Sequence, residues 1–294
     1  MGVWTQVTEH DASRAVIAAA AARVQARRRA VQGWAEPEPE RGEVWHHAER
    51  AVTVWAMPDT RSATLLDIEA PTGQGDDPQN LRQLLAELAA TAGWTGSWRF
   101  GVIDGDALLA SLTGIPDARR VATKMQLDVR GAAEPVGVRL QPMDDAAYAA
   151  YREHADEEYA QERFAAGADP SIEAARRTAA AQMIELLPDG PRTAGQLLWT
   201  VRDDKGEPTG ILWVALRDGF GFINDISVDE TRRGQGIGTQ VLRAAAAEMR
   251  AAGLDVLALN VFGSNDDARR LYAREGFSET ETLWTAPIEA SSGS

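Results

Sequence analysis

The sequence predicts a mixed α/β fold (an α+β mixed sheet) formed by two tandem domains that share one order of elements. The 294 residues exceed the size of one average domain. In each half an apolar strand runs into a glycine-containing turn, an amphipathic helix and a second apolar strand, as in α/β domains. The segment Arg130 to Pro135 is small and polar and ends in proline, so it predicts the boundary. The predicted domains cover residues 1–130 and 136–288, and residues 289–294 form a predicted disordered tail.

Composition excludes several kinds of chemistry. The chain has no cysteine, which removes disulfides, thiolate metal sites and a cysteine nucleophile. Its four histidines show no metal-ligand spacing, so we expect no metal site. The net charge of −14 argues against binding to nucleic acid, whose phosphates would be repelled. The same charge is compatible with a cationic substrate, although solubility alone also explains it.

The apolar runs of the chain are too short for a membrane span, which needs roughly 20 residues. The stretch Ala18 to Ala22 follows acidic residues and precedes arginines, which is the wrong order for an export signal. We therefore expect a cytoplasmic protein without a membrane partner, either a monomer or a homodimer.

Local patterns predict each element of the second half. Pro170, just after the N-cap candidate Asp169, predicts a helix start. Gly253 predicts a left-handed helix end, and the apolar run Val256 to Val261 predicts a parallel strand covered on both faces. The predicted order is strand Val136 to Leu140, helices Asp144 to Phe164 and Pro170 to Leu187, strands Gln196 to Val201, Thr209 to Leu216 and Phe220 to Val228, helix Val241 to Ala251, strand Val256 to Val261, helix Asp266 to Glu275 and strand Ser278 to Pro287.

The turn Arg233-Gly234-Gln235-Gly236-Ile237-Gly238 joins a predicted strand to a predicted helix. The first N–H groups of a helix are unpaired, and the helix dipole favours negative charge there. The three glycines permit a tight turn and close approach of a ligand, and Arg233 can add a charge-assisted bond to phosphate. The turn therefore predicts a site for a phosphate or pyrophosphate group.

A family resemblance follows from these residues. Val228 to Gly238 resembles motif A of the GCN5-related N-acetyltransferases (GNAT), which is Arg/Gln-x-x-Gly-x-Gly/Ala after a strand. Motif B is resembled by Asn260-Val261, Asn265, Ala268, Leu271-Tyr272 and Gly276-Phe277. The resemblance covers roughly Val136 to Pro287, and the tandem arrangement resembles that of mycothiol synthase without extending to the substrate.

The resemblance implies an acetyl-CoA-dependent N-acetyltransferase that transfers the acetyl group directly, in a ternary complex. The acceptor would be a primary amine of a small cationic molecule or a peptide, such as an antibiotic, an aminosugar or the N-terminus of a natural-product peptide. A different class stays open: a non-catalytic acyl-CoA-binding sensor or scaffold that keeps the turn without a base.

The resemblance also implies which residues hold coenzyme A. The amides of Gly234 to Thr239 would hold the pyrophosphate, Ile226 to Val228 would pair with the pantetheine arm as a strand does, and Asn265 would fix that arm. A splay between this strand and the strand at Val256 would admit the arm. The implied set is Ile226, Ser227, Val228, Arg233, Gly234, Gln235, Gly236, Ile237, Gly238, Thr239, Asn260, Asn265, Ala268 and Leu271.

Three residues are candidates for catalysis. Tyr272 lies where the family has its general acid, whose phenol protonates the departing thiolate. Asn224 lies where relatives carry a glutamate, and an amide cannot act as a base. Asp225 is the carboxylate of that strand and is the candidate base or amine-binding residue. Because strand neighbours face opposite sides, the sequence leaves open which of the two faces the cleft.

The first predicted helix of the second half is acidic. Its residues His154, Glu157 and Glu158 are candidates for binding a cationic acceptor, because the first helices cover the acceptor site in the resembling family. A solvated helix face is the alternative interpretation.

The first half repeats this pattern weakly, which predicts a degenerate and non-catalytic copy. Leu65 to Ile68 resembles Asn224 to Ile226. Thr72-Gly73-Gln74-Gly75 resembles the second-half turn, but it lacks arginine and precedes two aspartates that would repel pyrophosphate. Aligning Gly114 with Gly276 places Ala110 at the position of Tyr272. The alternative is that the first half is an unrelated α/β domain.

Overall fold

The structure is a computed structural model that describes residues 3–71, 78–165, 167–263 and 265–288. It divides into two compact units: the first unit is Met1–Arg120 with Thr280–Ser294, and the second unit is Val121–Glu279. The first-half turn from Thr72 to Gly75 and the predicted tail 289–294 lie outside the described residues.

Helices and strands alternate along both units. In chain order they are β1 (Trp4–Gln6), α1 (His10–Gln32), β2 (Glu43–His47), β3 (Val52–Asp59), β4 (Ser62–Glu69), α2 (Pro78–Ala92), β5 (Ser97–Ile103), α3 (Ala107–Ser111), β6 (Arg119–Asp128), β7 (Val138–Pro142), α4 (Asp145–Ala165), α5 (Ile172–Leu186), β8 (Gln196–Asp203), β9 (Pro208–Arg217), β10 (Phe220–Val228), α6 (Ile237–Ala251), β11 (Val256–Phe262), α7 (Asp266–Arg274) and β12 (Ser278–Pro287). Among the described residues, no helix is long and apolar enough to span a membrane.

The first unit is built on strands in the order β1-β2-β3-β4-β5-β12. Strands β4 and β5 are parallel and the other neighbours are antiparallel. One face of α2 supplies Leu81, Leu85 and Leu88 to the core, where they pack with strand residues such as Leu65 and Phe100. Burial of this apolar stripe explains why a helix forms here and how it is held.

The second unit is built on strands in the order β6-β11-β10-β9-β8-β7, with β10 and β11 parallel. Helix α6 buries Val241, Leu242, Ala245 and Met249 in the core of this unit. Helices α4 and α5 pack against each other through small residues that include Ala160 and Ala179, both almost fully buried. The mixed α/β fold predicted from the sequence is confirmed.

Each unit is closed by a strand that the sequence analysis assigned to the other half. Strand β6 pairs with β11 of the second unit, from Phe262↔Ala122 to Val256↔Asp128. Strand β12 pairs with β5 of the first unit, from Glu281↔Ile103 to Pro287↔Ser97. The unit bounds therefore differ from the predicted ranges 1–130 and 136–288 by an exchange of closing strands. An apolar strand pattern predicts that a strand forms but does not identify its neighbour, and this is why the sequence missed the exchange.

Candidate active site

A gap opens between the two parallel strands at the centre of the second unit. Strands β10 and β11 pair from Gly221↔Leu257 to Ile223↔Leu259, and no pairing between them continues beyond that point in the described residues. The register of β10 on β9 shifts at the same place, because Asn224 is an extra residue between Ile223 and Asp225. Such a bulge bends a strand and increases its twist. The predicted splay is therefore present, and the bulge at Asn224 is its structural cause.

The glycine turn between β10 and α6 forms a cradle of backbone amides. Gly234 and Gly236 have φ angles of 76° and 79°, which favour glycine, and Gly236 is the N-cap of α6. A Cβ atom on either glycine would meet nothing within 4 Å, so the space in front of the turn is open. No acceptor for the amides of residues 234–239, which include Gln235, Ile237 and Thr239, lies among the residues that the structure describes. The turn can thus donate several hydrogen bonds to an anion.

Arg233 lies at the exposed edge of this cradle. Its Nε donates to the Val228 carbonyl at 3.2 Å, and its Nη1 lies 3.4 Å from the Glu230 carboxylate. The neighbouring Arg232 is instead held by Asp203 at 3.0 Å. Arg232 also contacts Gln235 of the turn at 3.4 Å, whereas the more exposed Arg233 has no buried carboxylate partner within the described residues and is the better candidate to bind a phosphate.

Helix α7 places three of the implied coenzyme A residues. Asn265 is its N-cap, and its Oδ1 accepts from the Ala268 amide at 3.1 Å, so only its side-chain nitrogen can donate to a ligand. Leu271 approaches α6 so closely that a Cβ on Gly238 would lie 3.2 Å from the Leu271 Cδ2 atom. Gly238 thus permits close packing of the two helices. Asn260 is exposed on β11, in register with Lys124.

Asp225 is the carboxylate at the start of the gap. Its Oδ2 accepts a hydrogen bond of 2.9 Å from the Tyr151 hydroxyl of α4. Burial raises the pKa of Asp225 to about 6, the negative charge of Glu158 adds to this, and the hydrogen bond from Tyr151 opposes it. Because Tyr151 belongs to α4, its hydrogen bond shows that the Asp225 side chain lies on the face of the sheet that α4 covers.

Asn224 has a buried amide. Its Nδ2 has no hydrogen-bond partner within the described residues. Buried polar groups without a partner are rare in native proteins, so this nitrogen is a donor that a ligand or water can satisfy.

Tyr272 is a buried phenol near the carboxylates. It is 8% exposed and packs against Phe277 with ring centroids 5.7 Å apart. Burial raises the pKa of Tyr272 to about 12, and the negative charges of Glu162 and Asp225 contribute. The phenol therefore stays protonated near neutral pH and can donate a proton.

The acidic helix α4 has two different faces. Glu158 and Glu162 lie one turn apart. The negative charge of Glu158 raises the pKa of Asp225, and the negative charge of Asp225 raises the pKa of Glu162. Glu157 is instead bound by Arg176 of α5 through contacts of 2.8 and 2.9 Å. His154 is exposed, and its Nδ1 lies 3.5 Å from the Ala150 carbonyl. Of the three candidates for acceptor binding, only Glu158 is brought to Asp225.

Two residues of this site were missed by the sequence analysis, Tyr151 and Glu162. Both lie on the face of α4 that also carries Ala155 and Glu158. Residues three and four positions apart share a helix face, so the spacing 151, 155, 158 and 162 was the available signal. Burial raises the pKa of Glu162 to about 7, together with the charges of Asp225 and Glu158.

Carboxylates near one another also suggest a metal site. Within the described ranges, however, no group of three His, Cys, Asp or Glu side chains could hold a metal ion.

A strand gap beside an open amide cradle, with carboxylates and a buried phenol, defines the class of protein. It is an acyltransferase that uses a coenzyme A thioester, and the gap admits the extended arm of that molecule.

Comparison with known proteins gives the family. Residues 148–277 match the model of the acetyltransferase (GNAT) family. The uncharacterized N-acetyltransferase YycN of Bacillus subtilis is 31% identical over 155 residues, which cover 51% of this chain and 99% of that protein. The chain therefore belongs to the GNAT family, and it is an N-acetyltransferase that uses acetyl-CoA.

Two further likenesses extend across both units. A mycothiol acetyltransferase of Propionibacterium freudenreichii is 29% identical over 254 residues, which cover 79% of this chain and 73% of that protein. The structure of a tandem GNAT protein from the clavulanic acid biosynthesis pathway covers 98% of this chain and 99% of its own, with 16% identity and a TM-score of 0.50. The second likeness shows the fold alone, and that fold is the tandem one predicted from the sequence.

Proposed function

We propose that the second unit carries the catalysis and transfers the acetyl group of acetyl-CoA directly to a primary amine of a small cationic molecule. The observation that carries this proposal is the meeting of Asp225, Glu158 and Glu162 at the mouth of the strand gap, beside the open amides of the glycine turn. Clustered carboxylates at a cleft attract and hold an ammonium group.

Each residue has a defined part in this proposal. The amides of Gly234 to Thr239 and the side chain of Arg233 hold the pyrophosphate. The unpaired edge of β10 from Ile226 through Ser227 to Val228 holds the extended arm. Tyr272 donates its phenolic proton to the departing thiolate. Asp225 binds the amine or takes its proton, and the absence of cysteine from the chain favours direct transfer over a thioester enzyme intermediate.

Several classes of acceptor amine fit this proposal. A cationic aminosugar, an aminoglycoside-type antibiotic and the N-terminus of a short peptide all present the ammonium that the carboxylates would bind. The relative from Propionibacterium freudenreichii is named mycothiol acetyltransferase, so the non-acetylated form of mycothiol belongs among the candidates.

The test is release of free thiol from acetyl-CoA in the presence of these amines. Since the chain has no cysteine, a thiol reagent reports released coenzyme A without background from the protein. We expect a cationic amine to be turned over faster than a neutral or an anionic one of similar size. Binding of coenzyme A without turnover of any amine would favour the sensor alternative instead.

A further inference from the structure

We propose that Glu162 takes the proton from the ammonium of the acceptor, and that Asp225, held by Tyr151, binds and orients that ammonium. This inference rests on the proposed function and divides between two residues the roles that Asp225 alone would otherwise carry.

The first argument is placement. Helix α4 is fixed to the mouth of the gap by the 2.9 Å hydrogen bond from Tyr151 to Asp225. Glu162 lies on the same helix face, one turn beyond Glu158. The side chain of Glu162 remains accessible to solvent, which is needed for a group that passes its proton to water.

The second argument is that Glu162 interacts electrostatically with Tyr272, the proposed acid, and with Asp225, the proposed amine-binding residue. Its charge acts on Tyr272, which serves the leaving thiolate, and the charge of Asp225 acts on Glu162. The attacking nitrogen and the departing sulfur are joined to the same carbon during transfer, so the proton acceptor and the proton donor must lie close together.

The third argument compares the two carboxylates. Asp225 accepts a hydrogen bond from Tyr151, and the Ile226 amide also favours its ionised form. These two hydrogen bonds oppose the effect of burial on its pKa and fix the orientation of the carboxylate, which suits Asp225 to bind and orient an ammonium group. No such donor to Glu162 is found among the described residues, and burial and two like charges raise its pKa to about 7. A base with a pKa near the working pH is the most effective proton acceptor.

Arginines on α4 and α5 are engaged by other carboxylates. Arg163 of α4 is bound by Asp169 at 2.7 Å, and Arg176 of α5 is bound by Glu157. The charges that act on Glu162 are those of Glu158 on α4 and Asp225 on β10, and both are negative. Tyr272 faces it from α7 as a neutral phenol.

The step balances in protons and bonds. The ammonium passes one proton to the Glu162 carboxylate, and the nitrogen lone pair forms a bond to the thioester carbon. As the carbon–sulfur bond breaks, the thiolate takes the phenolic proton of Tyr272. The second proton leaves the nitrogen as the amide forms and restores the phenol, and Glu162 releases its proton to water. The net products are the amide, coenzyme A and one proton.

The test compares pH profiles of kcat/KM for an amine that the wild type acetylates, chosen from spermidine, glucosamine, kanamycin and trialanine. We expect Glu162→Gln to lower kcat/KM about 100-fold at pH 7 and to recover activity at high pH, where the amine loses its proton in solution. The KM for acetyl-CoA should not change. Asp225→Asn should instead raise mainly the KM for the amine, and the acidic limb should persist but move to lower pH, because the like charge of Asp225 beside Glu162 is removed. Glu158→Gln should move that limb to lower pH, because one like charge beside Glu162 is removed.

The matched control is Glu153→Gln, which removes the same charge from an exposed position of α4 and should leave the profile unchanged. A Glu162→Gln enzyme with the wild-type profile, or loss of the acidic limb in Asp225→Asn, would overturn the assignment. Failure of the proposed function is distinguishable from this outcome, because then the wild type itself would bind coenzyme A and acetylate none of the four amines.

Discussion

Each unit contains a pair of parallel strands whose pairing ends at a bulge, and different side chains surround that bulge in the two units. In the first unit β4 and β5 pair in parallel only as far as Leu65↔Phe100, and a bulge at Leu66 precedes Asp67. In the second unit the equivalent parallel pairing ends one residue before the bulge at Asn224. Both aspartates lie in register with a tryptophan of the antiparallel neighbour, Trp55 for Asp67 and Trp213 for Asp225. The repeat seen weakly in sequence is therefore a repeat of structure.

The surroundings of the two aspartates are opposite in charge. Asp67 is 2% exposed and is bound by Arg23 at 2.8 Å and by Arg27 at 2.6 Å, both from α1. Asp225 meets a neutral phenol and two further carboxylates. The guanidinium groups of Arg23 and Arg27 already occupy the Asp67 carboxylate, so an ammonium group would have to compete with them. The fold thus preserves the gap in both units, whereas the helix that contacts the aspartate carries arginines in the first unit and a tyrosine in the second.

The helices that follow the second parallel strand extend the comparison. Asp106 caps α3 and Asn265 caps α7, and each accepts from the amide three residues later at 3.1 Å. Counting equally from each cap places Thr113 at the position of Tyr272. Aligning Gly114 with Gly276 places Ala110 there instead, and the two alignments differ because α3 is shorter than α7. In either alignment the first unit lacks the phenol.

The largest expected effect is that of Tyr272→Phe, which makes the second unit resemble the first at this position. Loss of a general acid lowers kcat by about 100-fold or more. The measurement is kcat with saturating amine and acetyl-CoA, with Tyr159→Phe as control, since that hydroxyl donates to Gln182 instead. Equal turnover by the wild type and Tyr272→Phe would remove the acid role.

Asp67→Asn should affect folding rather than chemistry. It removes the Asp67 charge from Arg23 and Arg27, which keep Glu69 and Asp106 as partners, and loss of such hydrogen bonds to a charged group costs about 2 kcal/mol. We expect the urea midpoint of the first unit to fall while coenzyme A affinity is retained. An unchanged midpoint would show that the ion pairs do not stabilise this unit.

Arg233→Ala should weaken binding of coenzyme A about tenfold, because an exposed charge-assisted bond to phosphate contributes about 1.4 kcal/mol. Calorimetric titration at low and high salt measures the effect, which should shrink as salt rises. The control is Arg192→Ala, an exposed arginine that pairs with Asp145. A similar loss of affinity in both variants would exclude a specific role for the turn arginine.

The last expected effect is a pH dependence of stability. The folded pKa of Asp225, about 6, lies above its ordinary value of 3.8, so the native state binds the proton more tightly than the unfolded state. Ionisation of Asp225 therefore costs stability progressively as the pH rises from about 4 to about 6. The stability of Asp225→Asn relative to the wild type should rise across this range. Urea midpoints at pH 4, 5.5 and 7 test this, and a constant difference between the two proteins would contradict it.

Much of this molecule could be predicted from local sequence patterns. The glycine turn, the strand before it and the helices around it follow from residues that specify their own backbone, such as Gly236 with its positive φ. The exchange of β6 and β12 could not be predicted, because a strand pattern does not identify its partner. Tyr151 and Glu162 were missed because their importance depends on Asp225, a residue distant in sequence that only the fold brings near.

The central inference is that Asp225 lies in a catalytic site, whereas Asp67 lies in a site that is not catalytic. The direct test is kcat/KM for the acetylated amine in two matched variants, Asp225→Asn and Asp67→Asn, each checked for a folded state. We expect Asp225→Asn to lose about 30-fold, as for a hydrogen bond to a charged group worth about 2 kcal/mol, and Asp67→Asn to stay within about threefold of the wild type. A folded Asp67→Asn protein that loses more activity than Asp225→Asn would contradict the account.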